Sequence, residues 1–360
     1  MEEVFKDLTV IDASSVLAGP SVGMFFAELG ARVIKIENAR LGGDVTRTWK
    51  TSSESASSTI SAYWSSINYG KEYVLLDFSN PDDLSVLHNY ISTADILLTN
   101  FKSGDDKKFG LENEALYRKY PKLIQAAITG FSSSPDRIAY DVVMQAETGF
   151  MYMNGTPETT PLKMPVALMD VLAAHQLKEA VLIALYQRMK TGKGGVYRCS
   201  LERAGLASLI NQASNYLMNG SIPERKGSLH PNIAPYGEMA LTSDEKWIVF
   251  AVGSDRQFHS LMQDLGLEDL TDSAAFKHNQ DRVKNRSMLH QHIQEKLKLH
   301  TAEYWMQKFT KSLVPVGLVK SMQDIFETEL AQSMVLTETI DGAITKRVTS
   351  IAFEDITPSL

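Results

Sequence analysis

One carboxylate stands out by its setting. Asp170 closes the segment Met164-Pro165-Val166-Ala167-Leu168-Met169 and stands at the start of a long helical pattern. From Val171 to Met189, helical spacing puts Leu172, Ala173, Leu177, Ala180, Val181, Ala184 and Leu185 on one broad apolar face. Arg188 and Lys190 fall in the last turn, and Gly192 is a natural stop. An aspartate at such a start is first of all an N-cap, contributing about 1 kcal/mol, and position alone favours that role over a chemical one. Other chemistries lack their residues. Cys199 is the sole cysteine, so an intrachain disulfide and a cysteine-based zinc site are excluded. The eight histidines form no HExxH, and His290 and His292 would face different sides of a helix. The glycines make neither GxGxxG nor GxxxxGK[ST], so neither a nicotinamide site nor a P-loop is supported.

The elements that must position Asp170 read as an alternating pattern. Leu8–Asp12 is a buried strand, followed by a helix with Ser21 placed as its cap and Val22, Phe25, Phe26 and Leu29 on one face. Arg32–Glu37 is a second strand, which makes a βαβ unit with a right-handed crossover. Residues Leu41–Ser66, rich in Gly, Ser and Thr, read as a long surface loop whose distinctive features are Gly42-Gly43-Asp44 and Arg47. Further strands follow at Val74–Asp77, Ile96–Asn100 and Ile124–Ile128, with a helix from Asp82 to Ser92 behind an Asn80-Pro81 cap. This alternation predicts an α/β fold: a doubly wound, Rossmann-like large domain with a mainly parallel sheet, whose ligands lie beyond the carboxyl ends of the strands. Those ends are the loops at Leu17-Ala18, Asn38, Asn100-Phe101 and Gly130.

The expected organisation is a large domain over residues 1–220, a polar linker at 221–235, a small α/β domain at 236–321 and a return to the large domain at 322–360. The small domain reads as a strand pair, Glu238–Leu241 and Trp247–Val252, then helices at Asp255–Leu265, Arg286–Lys298 and Thr301–Ser312 and a strand at Pro315–Val319. At 360 residues with 44% apolar and 22% charged residues the composition is that of a soluble globular protein. A formal charge of −7 argues against broad nucleic-acid binding. There is no apolar leader and no apolar run approaching the 18 residues of a membrane span, so a cytoplasmic protein without membrane attachment is expected.

Taken in order, Val16-Leu17-Ala18-Gly19-Pro20, Leu29–Glu37, Asn68-Tyr69-Gly70-Lys71, Asp95–Phe101, Tyr140-Asp141 with Gln145-Ala146, Asp170, Thr191-Gly192-Lys193-Gly194 and Ala234-Pro235-Tyr236 resemble the family III CoA-transferases, the CaiB/BaiF-like group of formyl-CoA, crotonobetainyl-CoA and bile-acid CoA-transferases. The resemblance spans roughly residues 4 to 340. It implies the family's fold and makes Asp170 the nucleophile that takes CoA from an acyl-CoA as an aspartyl thioester and passes it to a carboxylic acid. No permanently bound cofactor is implied, because CoA and acyl-CoA are substrates. By position it places CoA contacts at Leu17, Ala18, Asn38, Lys71, Asn100, Phe101, Lys108, Tyr140 and Asp141. A lone lysine reads first as a solvated surface charge, but Lys71 and Lys108 at two strand-end loops of one sheet make a phosphate pocket more plausible. It also implies an interlocked homodimer.

The chain departs from the family pattern at three places. Asn38 replaces an arginine that some relatives use for CoA, and Leu17 stands where oxalate-handling relatives carry glutamine, which points to a less polar acyl group. Residues Ile351–Leu360 show no proline-rich segment or Gly-Glu-His stretch, so a shortened C-terminus is expected. Two other activities are weighed. An α-methylacyl-CoA racemase needs two opposed acid/base groups, but its histidine before the aspartate is Tyr140 here, and the next histidine, His175, is expected to be packed within the helix. A CoA-binding protein without transferase activity would retain the fold and lose the need for Asp170.

Overall fold

The computed structural model describes residues 3–357. Its core is a six-stranded sheet built from β1 (Thr9–Ala13), β2 (Arg32–Asn38), β3 (Lys71–Leu76), β4 (Ile96–Thr99), β5 (Ile124–Thr129) and β6 (Gly195–Ser200), all pairs parallel, in the order β3-β2-β1-β4-β5-β6. Sequence patterning marks only five of these strands. The sixth lies at the sheet edge with Val196 45% exposed, so it carries no continuous apolar run to reveal it. Successive strand residues point to opposite faces. Val10, Val33, Ile96 and Leu98 pack against helices α1 (Ala18–Glu28) and α4 (Leu168–Thr191) on one side. Ile11, Ile34 and Leu97 pack on the other with Leu87 and Ile91 of α2 (Pro81–Ser92). Asn80 caps α2 by accepting from the Asp82 N–H, as its Asn-Pro signal implies. Ser21 does not cap α1. The helix starts at Ala18, and the Ser21 hydroxyl donates back to the Leu17 carbonyl at 2.8 Å.

The long segment between β2 and β3 is anchored from within rather than lying loose on the surface. Glu37 accepts from the Asp44 amide at 3.0 Å, from Arg47 at 2.7 Å and from the Trp64 indole at 2.9 Å, and Trp64 is fully buried. The helix α3 (Asp141–Glu147) precedes α4, and α5 (Leu201–Ala207) follows β6. A hairpin of β10 (Val335–Ile340) and β11 (Ala343–Val348) joins this unit by ion-pairing Arg347 with Glu28 of α1 and by the Glu338 carboxylate accepting from the Gly70 amide at 3.1 Å.

Two compact units result. Of the described residues, the first comprises 3–151, 163–223 and 330–357, the second 152–162 and 224–329. The second unit has its own antiparallel sheet, β7 (Tyr236–Leu241), β8 (Trp247–Ala251) and β9 (Val316–Leu318), over a core of Phe250, Phe258, Leu261, Ile293 and Phe309. Among the described residues no helix is long and apolar enough to cross a membrane.

Beneath the strand ends of the first unit lies a buried ion cluster. The Lys71 ammonium donates to Asp12 at 2.8 Å, to the Pro20 carbonyl at 2.8 Å and to Asn68 at 3.0 Å, so all three of its protons are used. Burial by itself pushes the Asp12 carboxyl up, but the Lys35 and Lys71 ammoniums and bonds from Lys71 and Ser14 bring it down to about 2. Burial lowers Lys71 to about 8 against the pull of Asp12, which leaves both groups charged at neutral pH. Gly23 of α1 is what lets the helix reach this pair, since a Cβ there would sit 2.9 Å from Asp12 Oδ2. Lys71→Met is therefore expected to destabilise the fold by about 3 kcal/mol in urea unfolding, because it strips a buried carboxylate of a partner; a change within about 0.5 kcal/mol, the surface value, would contradict this placement.

Candidate active site

The helix α4 starts at Leu168, earlier than its apolar periodicity suggests, and this puts Asp170 at the third helical position rather than at the cap. Ala167 occupies the cap position and its side chain makes no bond. The capping is done from another helix. The Met169 N–H donates to Asp141 Oδ1 at 2.7 Å, and Asp141 Oδ2 accepts from Gln145 Nε2 at 2.6 Å. Gln145 in turn uses its Oε1 to accept from the Met164 N–H at 2.7 Å, which fixes the segment leading into α4. The cap role that position suggests for Asp170 thus belongs to Asp141.

Asp170 is left 8% exposed and without a hydrogen bond from any of the described residues. Burial, and then the Asp141 charge, raise its carboxyl from the ordinary 3.8 to about 7. Half-buried Tyr63 faces the same charges. Burial and the negative Asp170, Asp141 and Asp44 push its phenol up to about 12, which keeps it a protonated donor. A basic, unbonded carboxylate facing open space is a group that can attack an electrophilic carbonyl.

Asp170 and Asp141 open onto a cavity of about 950 Å³ at the carboxyl ends of the strands, near the top of the range of roughly 300–1,000 Å³ for small-ligand sites. Of the residues expected there, Leu17, Ala18, Asn100, Phe101, Tyr140, Asp141 and Asp170 share its lining. Asn100 uses its whole amide on Ser15, accepting from its N–H at 2.9 Å and donating to its carbonyl at 2.8 Å. Three expected contacts are not brought together with them. Lys71 is enclosed in the ion cluster, so its ammonium has no proton free for a phosphate. Asn38 ends β2 and accepts from the Arg40 N–H at 3.0 Å. Lys108 is 71% exposed at the end of a short helix, 3.8 Å from Asp105. His175, expected to be packed, is exposed on α4.

The cations of the lining are others: Lys102, Arg137, Arg198 and Arg203. Arg137 lies 3.9 Å over the Phe131 ring and pairs with Glu147 at 2.8 Å. Arg198 sits on the edge strand β6 and Arg203 in the first turn of α5. The sequence signal for the latter two is a pair of arginines flanking the strand-to-helix turn at Ser200, visible only once β6 is recognised. Tyr63 lies hidden in the segment that composition marks as surface loop. Among the described residues no group of three or more His, Cys, Asp or Glu is placed to hold a metal ion.

The model of CoA-transferase family III matches residues 5–354. Succinate–glutarate CoA-transferase of Agrobacterium fabrum is 34% identical over 94% of this chain and 86% of its own length. Human succinyl-CoA:glutarate CoA-transferase is 31% identical over 89% and 73%. The crystal structure of a CaiB/BaiF family protein from Brucella suis superposes with a TM-score of 0.85 at 32% identity, over 99% of this chain and 94% of that one.

The raised Asp170 carboxyl makes stability depend on pH in a definite direction. Below 3.8 the acid is neutral in both states; between there and about 7 the folded form holds a proton that the unfolded chain has lost, so stability falls as pH rises. Asp170→Asn should therefore be more stable than the parent at pH 8, by on the order of 3 kcal/mol, and nearly equal to it at pH 4. Paired denaturant titrations at the two pH values test this; a variant that is less stable at pH 8 would refute the buried, unbonded carboxylate.

Proposed function

Because the chain belongs to CoA-transferase family III, we propose that it moves CoA from an acyl-CoA thioester to a free carboxylic acid with Asp170 as the covalent carrier. The observation that carries this reading is the carboxylate itself, buried in the lining of the cavity, unbonded among the described residues and raised to about 7.

The steps balance without an outside energy source. An Asp170 oxygen attacks the thioester carbonyl; the C–S bond breaks, CoA leaves as its thiolate, and a mixed anhydride remains. The thiolate then attacks the aspartyl carbonyl carbon, releasing the donor acid and forming an aspartyl-CoA thioester. An acceptor carboxylate repeats the sequence in reverse order and restores Asp170. Each intermediate keeps the activation of the original thioester. The raised basicity of Asp170 favours attack once the carboxylate is ionised, and the small exposure of the group limits hydrolysis of the anhydride. The protonated Tyr63 phenol is a donor that can steady negative charge near the carboxylates.

The substrates favoured are short dicarboxylic acids. Two of the relatives carry succinate and glutarate in their names, and Arg137, Arg198 and Arg203 in the lining suit the distal carboxylate of such an acid. Leu17 narrows the choice toward acids with an apolar spacer. Activity as an interlocked homodimer in the cytoplasm is part of the same reading, carried over from the family resemblance.

Incubation with succinyl-, glutaryl-, acetyl- and crotonyl-CoA followed by hydroxylamine should yield a hydroxamate on the peptide containing Asp170, strongest with the dicarboxylic donors. Asp170→Ala should lose the adduct and at least about 10³-fold in turnover, the scale for removing a covalent catalyst. Absence of any adduct with α-proton exchange in deuterated water would replace the transferase reading by racemisation.

A further inference from the structure

The chain between β1 and α1 is held in an unusual way. Ser14, Ser15 and Val16 belong to no helix or strand, yet each is bonded by a side chain from elsewhere in the unit. The Ser14 N–H and hydroxyl donate to Asp12, and its carbonyl accepts from the Lys35 ammonium. Ser15 is bridged at both its N–H and its carbonyl by the Asn100 amide. The Val16 N–H donates to Asp44 Oδ2 at 3.2 Å.

Val16 has φ +71°, a left-handed conformation that a β-branched side chain avoids and that persists only where its surroundings impose it. The restraint is rigid. The Asp44 and Lys35 side chains are each 1% exposed and 3.3 Å apart. Asp44 Oδ1 is further fixed by the Thr46 N–H at 3.0 Å and hydroxyl at 2.9 Å. The next two residues after Val16 are Leu17 and Ala18, which line the cavity that contains Asp170. Gly19 completes the fit, since a Cβ there would lie 2.3 Å from the Ser14 hydroxyl.

We propose that Asp44 and Asn100 are positioning residues that hold Ser15 and Val16 in this strained turn, and so set Leu17 and Ala18 against the thioester end of the substrate. The proposal rests on the reading of Asp170 as nucleophile. Asp44 touches no reacting atom and acts through the backbone it holds. Attack on a carbonyl tolerates little displacement, with about 1 Å of misplacement costing roughly 100-fold in rate.

The test is a coupling cycle on the full-length protein. Asp44→Asn is expected to lower kcat for CoA transfer roughly 10- to 100-fold while leaving KM for the acyl-CoA within about threefold, because the remainder of the lining is untouched. Adding Val16→Gly should restore at least about fivefold of that loss, since glycine adopts positive φ without being forced. A merely structural role for Asp44, as the partner of Lys35, would not respond to a glycine that restores no charge. A folded double variant no faster than Asp44→Asn overturns the proposal. Should Asp44→Asn fail to fold by circular dichroism, the same cycle run with Asn100→Ala decides in the same way: rescue by Val16→Gly supports the clamp, and its absence overturns it. Hydroxylamine trapping on the parent protein keeps the two ideas apart. No adduct on Asp170 there defeats the transferase reading itself, whereas an adduct with no rescue in the cycle defeats only the clamp.

Discussion

A helix N-terminus offers amides that want an acceptor, and the acceptor nearest in sequence normally supplies it. In this protein that bond is given away. The Met169 amide is taken by Asp141 from a neighbouring helix at 2.7 Å, which leaves Asp170 one residue later with no hydrogen bond to lower its basicity. Everything distinctive about the site follows from this substitution of one carboxylate for another. Asp141 does the structural work and, by its charge, adds to the burial that raises Asp170 toward neutrality. Two aspartates near one helix end therefore have divergent tasks because only one of them is bonded.

The sheet order explains why these groups meet. With strands in the order β3-β2-β1-β4-β5-β6, successive connections leave in opposite directions from β1 and β4, and a crevice opens above their carboxyl ends. Asn100 at the end of β4 reaches across this crevice to Ser15 at the end of β1. Below it, Asp12, Lys35, Lys71 and Asp44 form a fully enclosed set of charges. Such pairs seldom add net stability over apolar packing; here they fix where backbone lies at the mouth of the cavity. The two oppositely charged pairs fix the loop without leaving any net charge buried.

Much of this was legible in the residues, and the limits have physical causes. The parallel core announces itself because strands buried on both faces carry runs of apolar residues, as in Val10-Ile11 of Thr9–Ala13 and Ile96-Leu97-Leu98 of Ile96–Thr99. The edge strand Gly195–Ser200 does not, because Val196 and Arg198 are exposed, and without the strand neither Arg198 nor Arg203 on the helix after it stands out. Asp170 lines the cavity, and the cap role that its position alone suggests falls to Asp141, an acceptor distant in sequence whose capping has no local signature. Lys71 shows the same limit from the other side. A lysine at a strand end looks like a phosphate ligand until the pairing of strands encloses it against Asp12, 59 residues away. The segment between β2 and β3 read as loop from its small polar residues, while its fixed points, Asp44, Arg47 and Trp64, are anchored by the single buried carboxylate of Glu37.

Asp170 is basic because it is buried without a hydrogen bond from any described residue and, secondarily, because it lies beside the Asp141 charge. Isotope-edited infrared titration of the Asp170 carboxyl, in the parent and in Asp141→Asn, measures this directly. A midpoint near 7 is expected in the parent, set chiefly by burial, with a partial fall toward the ordinary carboxylate value when the neighbouring charge is removed. A parent midpoint near 4, unchanged by the substitution, would contradict it.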